Sequence, residues 1–159
     1  MTPNVLFCDQ EPLEKSEQAT RILICGDWSP PISGNSEFVL QEGSRFYGDV
    51  SRLIHDADIS VVNMELALTS SSKTEDKSGP SATGPELLAS HLKTCGFNVA
   101  CLANNHICDA GKEGISNTIN LLNHAGVESV GAAIDESQIY RTLELQASLS
   151  AISIINASD

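Results

Sequence analysis

Three times along this chain a short run of consecutive apolar residues stops at a cluster of polar ones. Arg21 to Cys25 runs into Gly26, Asp27 and Trp28. Ile59 to Glu65, ISVVNME, carries Asn63 and Glu65 at its far end, and Phe97 to Ala103, FNVACLA, leads into Asn104, Asn105 and His106. Continuous apolar runs of this length predict parallel strands buried on both faces. Between them the apolar spacing changes to that of helices. Phe46, Val50, Leu53, Ile54 and Ala57 recur at helical intervals, and so do Leu88, Leu92 and Cys95, then Ile115, Ile119 and Leu122. Pro85 suits a first helical turn, while Gly96 and Gly126 suit the positions just past helix ends. VESVGA and SAISIINAS read as two further short strands.

The resulting order, strand and helix alternating, predicts an α/β fold of layered β-α-β repeats with right-handed crossovers. One domain over residues 21–159 is expected, preceded by a poorly ordered acidic arm over residues 1–20. Thr69 to Gly84, rich in Ser and Gly, breaks the rhythm; a loop that long in a compact domain is functional or disordered.

Charge removes one class of partner. Nine basic against twenty-one acidic residues give a net charge of −12, which repels phosphate backbones, so nucleic acid is not expected. No apolar run approaches the roughly 18 residues needed to span a bilayer, and the first residues lack the basic flank and apolar core of a signal peptide. A cytoplasmic location is the expectation. Five cysteines, Cys8, Cys25, Cys95, Cys101 and Cys108, include no CxxC pair and fit reduced thiols better than a disulfide framework or zinc site. Redox sensing through Cys101 and Cys108 is disfavoured, because nothing basic lies near to stabilise a thiolate.

In open α/β sheets, ligands sit outside the carboxyl ends of the strands. If the three polar-ended strands are adjacent and parallel, Asp27, Asn63 or Glu65, and Asn105 with His106 converge there. Carboxylate, amide oxygen and imidazole together suit Mn²⁺, Zn²⁺, Mg²⁺ or Fe. Each residue alone has a plainer role open to it. Asp27 fits a turn or helix cap, Asn63 and Glu65 the exit of a strand to solvent, and the asparagines a loop backbone. Their joint occurrence at three strand ends is what favours a pocket.

GDW, DADISVVNMEL, KSGP, GFNVACLANNHICDAGKEGISNTINLLNHAGVESVGA and ISIINAS resemble, in order and spacing, the N-terminal half of the CapA family of capsule and poly-γ-glutamate synthesis proteins. The resemblance runs from about Arg21 to Asp159 and is most specific at Asn104 to Gly111. It implies a fold like that of calcineurin-type metallophosphoesterases and metal-dependent phosphoester hydrolysis linked to capsular polymer synthesis, with one or two divalent ions. By the same resemblance Asp27, Asn63, Glu65 and Asn105 are metal ligands and His106 is catalytic, facing the scissile phosphate. Lys77 and Asn104 are substrate-binding, the substrate being an anionic small molecule or polymer, while Asp109 and Gly111 shape the turn into the next helix. Family members continue beyond the segment matched here with further His and Glu motifs. His55, His91 and His124 fall on predicted helices and do not supply those ligands. A complementing C-terminal half or self-association is therefore an expected partner, and a truncated, non-catalytic binding or assembly subunit is the alternative reading.

Overall fold

The computed structural model describes residues 19–30, 47–71, 75–77, 79–148 and 150–158. Residues 1–18 of the expected arm over residues 1–20, and the predicted helix start at Phe46, lie outside them. In chain order the elements are β1 (Ile22–Trp28), α1 (Val50–Asp56), β2 (Ile59–Met64), β3 (Ala67–Leu68), β4 (Thr83–Gly84), α2 (Leu88–Thr94), β5 (Val99–Cys101), α3 (Gly111–Ala125), β6 (Glu128–Val130), β7 (Leu143–Gln146) and β8 (Ala151–Ile154). A short 3-10 turn, Glu136–Gln138, precedes β7. The architecture is mixed α/β, as the alternation of patterns predicts.

The main sheet has the order β1-β2-β5-β6, every pair parallel. Strand order follows chain order without reversal. All three described helices put apolar side chains into one cluster with the same sheet face: Ile54 from α1, Leu88 and Leu92 from α2, Leu122 from α3, against Val62, Met64, Ala100 and Leu102. Repeated crossovers of one hand in one direction place their helices on one side, which is what this order requires. Alternate residues, Ile59, Val61, Val99 and Val130, face the other way and meet Leu143. The helix ends where the sequence says it should: Gly96, at φ +98°, donates to Lys93 O while Phe97 donates to Leu92 O, a paired closure that needs a left-handed residue at the helix exit.

Three expectations are corrected. β1 does not stop at Cys25. Its register to β2 slips between Ile24 and Asp27, so that Cys25 and Gly26 together oppose Val62, and the strand continues through this bulge to Trp28. Nor is β1 buried on both faces: it is a sheet edge, and Ile22 and Ile24 are exposed. SAISIINAS does form a strand, but β8 pairs antiparallel with β7 in a separate hairpin instead of extending the parallel sheet. Leu143 and Leu145 alternate with Glu144 and Gln146, so β7 is a half-buried strand whose alternation runs over only four residues. Pro85 lies ahead of α2, in the turn whose carbonyl receives the Leu88 amide.

The long segment after β3 is tied at its ends. β3 and β4 pair parallel across it, Ala67 opposite Thr83 and Leu68 opposite Gly84. Buried Thr118 of α3 accepts from the Leu68 amide at 2.8 Å and donates to Gly114 O at 2.7 Å, pinning this small sheet to the helix.

Candidate functional site

The bulge in β1 has a direct consequence for chemistry. Past it, Asp27 lies beside Asn63 on β2, which in turn lies beside Cys101 at the end of β5. Asn63 Nδ2 donates to Asp27 Oδ1 at 2.7 Å, and Asn104 Nδ2 donates to Asn63 Oδ1 at 3.2 Å and to Met64 O at 3.0 Å. Asn104 Oδ1 then accepts the amides of His106 at 3.0 Å and Ile107 at 3.1 Å. A continuous row of side-chain bonds therefore crosses the carboxyl ends of three strands. Both ends of the Asn104 amide are engaged by the protein, so this residue sets the shape of the loop that follows β5. Asp27 and Asn105 are exposed, and Glu65, half-buried, is held by its backbone amide on Trp28 O at 3.1 Å.

His106 is anchored from the other side. Its Nδ1 lies 2.8 Å from Asp109 Oδ2 and 3.2 Å from Lys77 Nζ. A carboxylate only accepts and an ammonium only donates, so the two contacts ask opposite things of Nδ1; a proton on Nδ1 satisfies the shorter one, to Asp109, and in that tautomer Nε2 of the neutral ring carries none. Lys77 has other acceptors. It pairs with Asp109 Oδ1 and reaches the Asn105 carbonyl at 3.4 Å. Asp109 is 1% exposed and its Oδ2 also accepts the Ala82 amide at 2.6 Å. Burial pushes its carboxyl pKa up, but the hydrogen bonds from Lys77, His106 and the Ala82 amide outweigh that and hold it below the ordinary carboxylate value.

Asp109 is the residue whose importance sequence reasoning understated, assigning it only to a turn. The available signal was the His-x-x-Asp spacing, which in a helical turn puts the two side chains on one side. The long segment before β4 is docked on this turn at three points: Glu75 N donates to Asp109 O at 2.8 Å, Lys77 meets Asp109 and Asn105, and Ala82 N meets Asp109. Lys77 is thus part of the site's support.

The donors along the row are carboxylate and amide oxygens, the chemistry of a hard divalent cation. Among the described residues no three His, Cys, Asp or Glu side chains are grouped so as to hold a metal. Of the residues expected as ligands, Asp27 and Asn63 are joined by a hydrogen bond, Asn63 Oδ1 is taken up by Asn104, and Glu65 follows at the β2 exit. The described cysteines, Cys25, Cys95, Cys101 and Cys108, are free thiols, and burial raises the first three above the ordinary thiol value. Among the described residues no helix is long and apolar enough to cross a membrane.

Two curated relatives, from two strains of Mycobacterium tuberculosis, are each 32% identical to the chain over 84 residues and each named "Probable polyglutamine synthesis accessory protein". The matched stretch is 49% of this chain and 20% of each relative's length. The family described as bacterial capsule synthesis protein PGA_cap matches residues 18–159, a span that takes in the polar strand ends, the Asn104–Asp109 turn and the segment docked on it, and the chain belongs to that family.

Proposed function

We propose that this chain carries a metallophosphoesterase-type site and that its reaction is metal-dependent hydrolysis of a phosphoester on an anionic substrate of capsular polymer synthesis. The observation that supports this most is the His106–Asp109 bond. It holds the imidazole by Nδ1 at the carboxyl end of a parallel sheet, beside exposed oxygen donors, and leaves Nε2 for chemistry.

Asp27, Asn63 and Asn105, with Glu65 at the same strand exit, would hold the divalent ion. The chemistry such an ion supplies is polarisation of a phosphoryl oxygen and activation of water at neutral pH. The protein's own part is orientation. His106 Nε2 meets the phosphoryl or leaving oxygen, protonating it or steadying its charge in the imidazolium form, which Asp109 stabilises. Asp109 fixes the ring, and Lys77 fixes Asp109. The Asn104 amide holds the loop so that Asn105 and His106 keep their places relative to β2. The layering of helices on one sheet face and a β-hairpin on the other is compatible with half of a metallophosphoesterase sandwich.

The test is hydrolysis of p-nitrophenyl phosphate with and without Mn²⁺. Manganese-dependent turnover is expected, reduced on the order of a hundredfold or more by His106→Ala and abolished by Asn105→Ala. Purified chain that neither binds manganese nor turns over the ester would remove the enzymatic reading. One observation favours the second reading, a binding or assembly subunit: the described residues do not complete a ligand cluster by themselves. Manganese binding and turnover that appear only on adding a separate protein segment would select it.

A further inference from the structure

A second feature at the strand ends is not used by phosphoester chemistry. A cavity of about 480 Å³ opens where β5, β6 and the segment after β8 meet. Asn104 and Ile107 wall it from the His106 loop, Ile139, Tyr140 and Arg141 from the stretch before β7, and Ile155 from the chain after β8. Its volume falls within the range of small-molecule sites.

The floor is built by a close approach of backbone. Asn156 Oδ1 accepts the Ala103 amide at 2.6 Å, directly over Gly131. A Cβ at Gly131 would collide with that oxygen and lie 2.7 Å from Ala103 N, and the residue sits at φ +94°. Glycine is therefore required for the segment after β8 to close onto the ends of β5 and β6.

The charge of the lining departs from that of the chain. Acidic residues outnumber basic ones by twenty-one to nine overall, yet among the described residues that line this cavity none is acidic and the one ionised side chain is Arg141. Among the described residues no carboxylate pairs with Arg141. Beside it stand exposed apolar groups, Ile139 at 46%, Ile155 at 78% and Tyr140 at 94%, while Asn104, Asn156 and Ser158 add polar ones to the lining. A guanidinium with no carboxylate partner among the described residues, set beside exposed apolar side chains, has the two parts needed to recognise an acid with an apolar body.

We propose that this cavity binds an apolar-bodied carboxylate, with Arg141 pairing to the carboxylate and Tyr140, Ile139 and Ile155 covering the body. Asn104 and Ile107, which line it, flank Asn105 and His106 in the chain, so the ligand is the part of the substrate beyond the phosphoryl group. That placement rests on the phosphoesterase reading, whereas the binding itself does not.

Binding of phenylpropionate to the full chain, followed by titration calorimetry and by backbone amide shifts, tests the proposal without any turnover. Phenylpropionate is expected to bind, moving the Ala103 and Gly131 amides, and to bind about tenfold more weakly to Arg141→Met and about threefold more weakly to Tyr140→Ala. Arg52→Met, on the exposed side of α1, should bind as the parent does. The uncharged phenylpropanamide should bind as weakly as phenylpropionate does to Arg141→Met. No binding at millimolar acid, equal binding of acid and amide, or full affinity in Arg141→Met would each overturn the pocket. Loss of ester hydrolysis with phenylpropionate binding intact would instead overturn the phosphoesterase reading alone.

Discussion

The two sides of the candidate site are built in opposite ways. Asp109 is almost fully buried and held by Lys77, His106 and the Ala82 amide, whereas Asp27 is exposed and, among the described residues, held by a single side-chain bond from Asn63. Both are carboxylates close to the same strand ends. The first is over-determined, so its position is structural and its chemistry is exerted through His106. The second is under-determined, which is tolerable for a group whose geometry is completed by what it binds. This difference says which acid should cost stability when removed and which should cost only function.

The largest effect is expected from Asp109→Ala. It leaves the Ala82 amide, the His106 Nδ1–H and the Lys77 ammonium without their acceptor. Such losses, discounted because Lys77 reaches water, amount to about 3 kcal/mol, or about 6 to 12 °C in Tm for a domain of this size. Calorimetry of the purified variant gives the answer. A shift no larger than a typical surface substitution would show that the buried cluster is not holding the segment before β4.

A smaller effect follows from the same carboxylate through pH. Its folded pKa lies below the unfolded value, so its contribution is present in full above the unfolded pKa, about 4, and is lost as pH falls through the depressed folded value. Asp109→Asn has no such proton to gain. The parent should therefore be the more stable protein at neutral pH, with the gap to Asp109→Asn closing progressively below about pH 4. Urea titrations of both proteins across that range would show it. A gap that stays constant to low pH would mean that the carboxyl is not held ionised by its neighbours.

How far the sequence could be read divides along the same line. The strands at Ile59 and Phe97 were legible because continuous apolar runs have few other uses, and the exit at Gly96 because only one residue type suits it. Asn104 to His106 stood out as polar groups at a strand end. Three things could not be read locally. The bulge at Cys25 and Gly26, which aligns Asp27 with Asn63, depends on pairing with β2. β7 alternates over too few residues to be distinguished from a loop, and its partner lies across a turn. The part Asp109 plays depends on Lys77, thirty-two positions earlier in the chain, because the segment that carries Lys77 docks on the turn. In each case the missing information was a contact with another segment, not a property of the segment itself.

The smallest expected change in stability, and the one that most sharpens the contrast, is Asp27→Ala. The side chain is exposed, and its loss removes one bond whose donor, Asn63 Nδ2, water can reach on the half-buried strand end. Folding should therefore change by no more than about 0.5 kcal/mol. Manganese affinity, measured by titration calorimetry, should nonetheless fall about tenfold or more, because a hard cation loses a carboxylate ligand that an amide cannot replace. Asp27→Asn separates the two effects: it keeps an oxygen for Asn63 and so the bond, but not the charge. A variant that matched Asp109→Ala in lost stability would erase the distinction between the two acids. One that kept both stability and manganese affinity would leave Asp27 as a strand-end residue whose bond to Asn63 is its whole function.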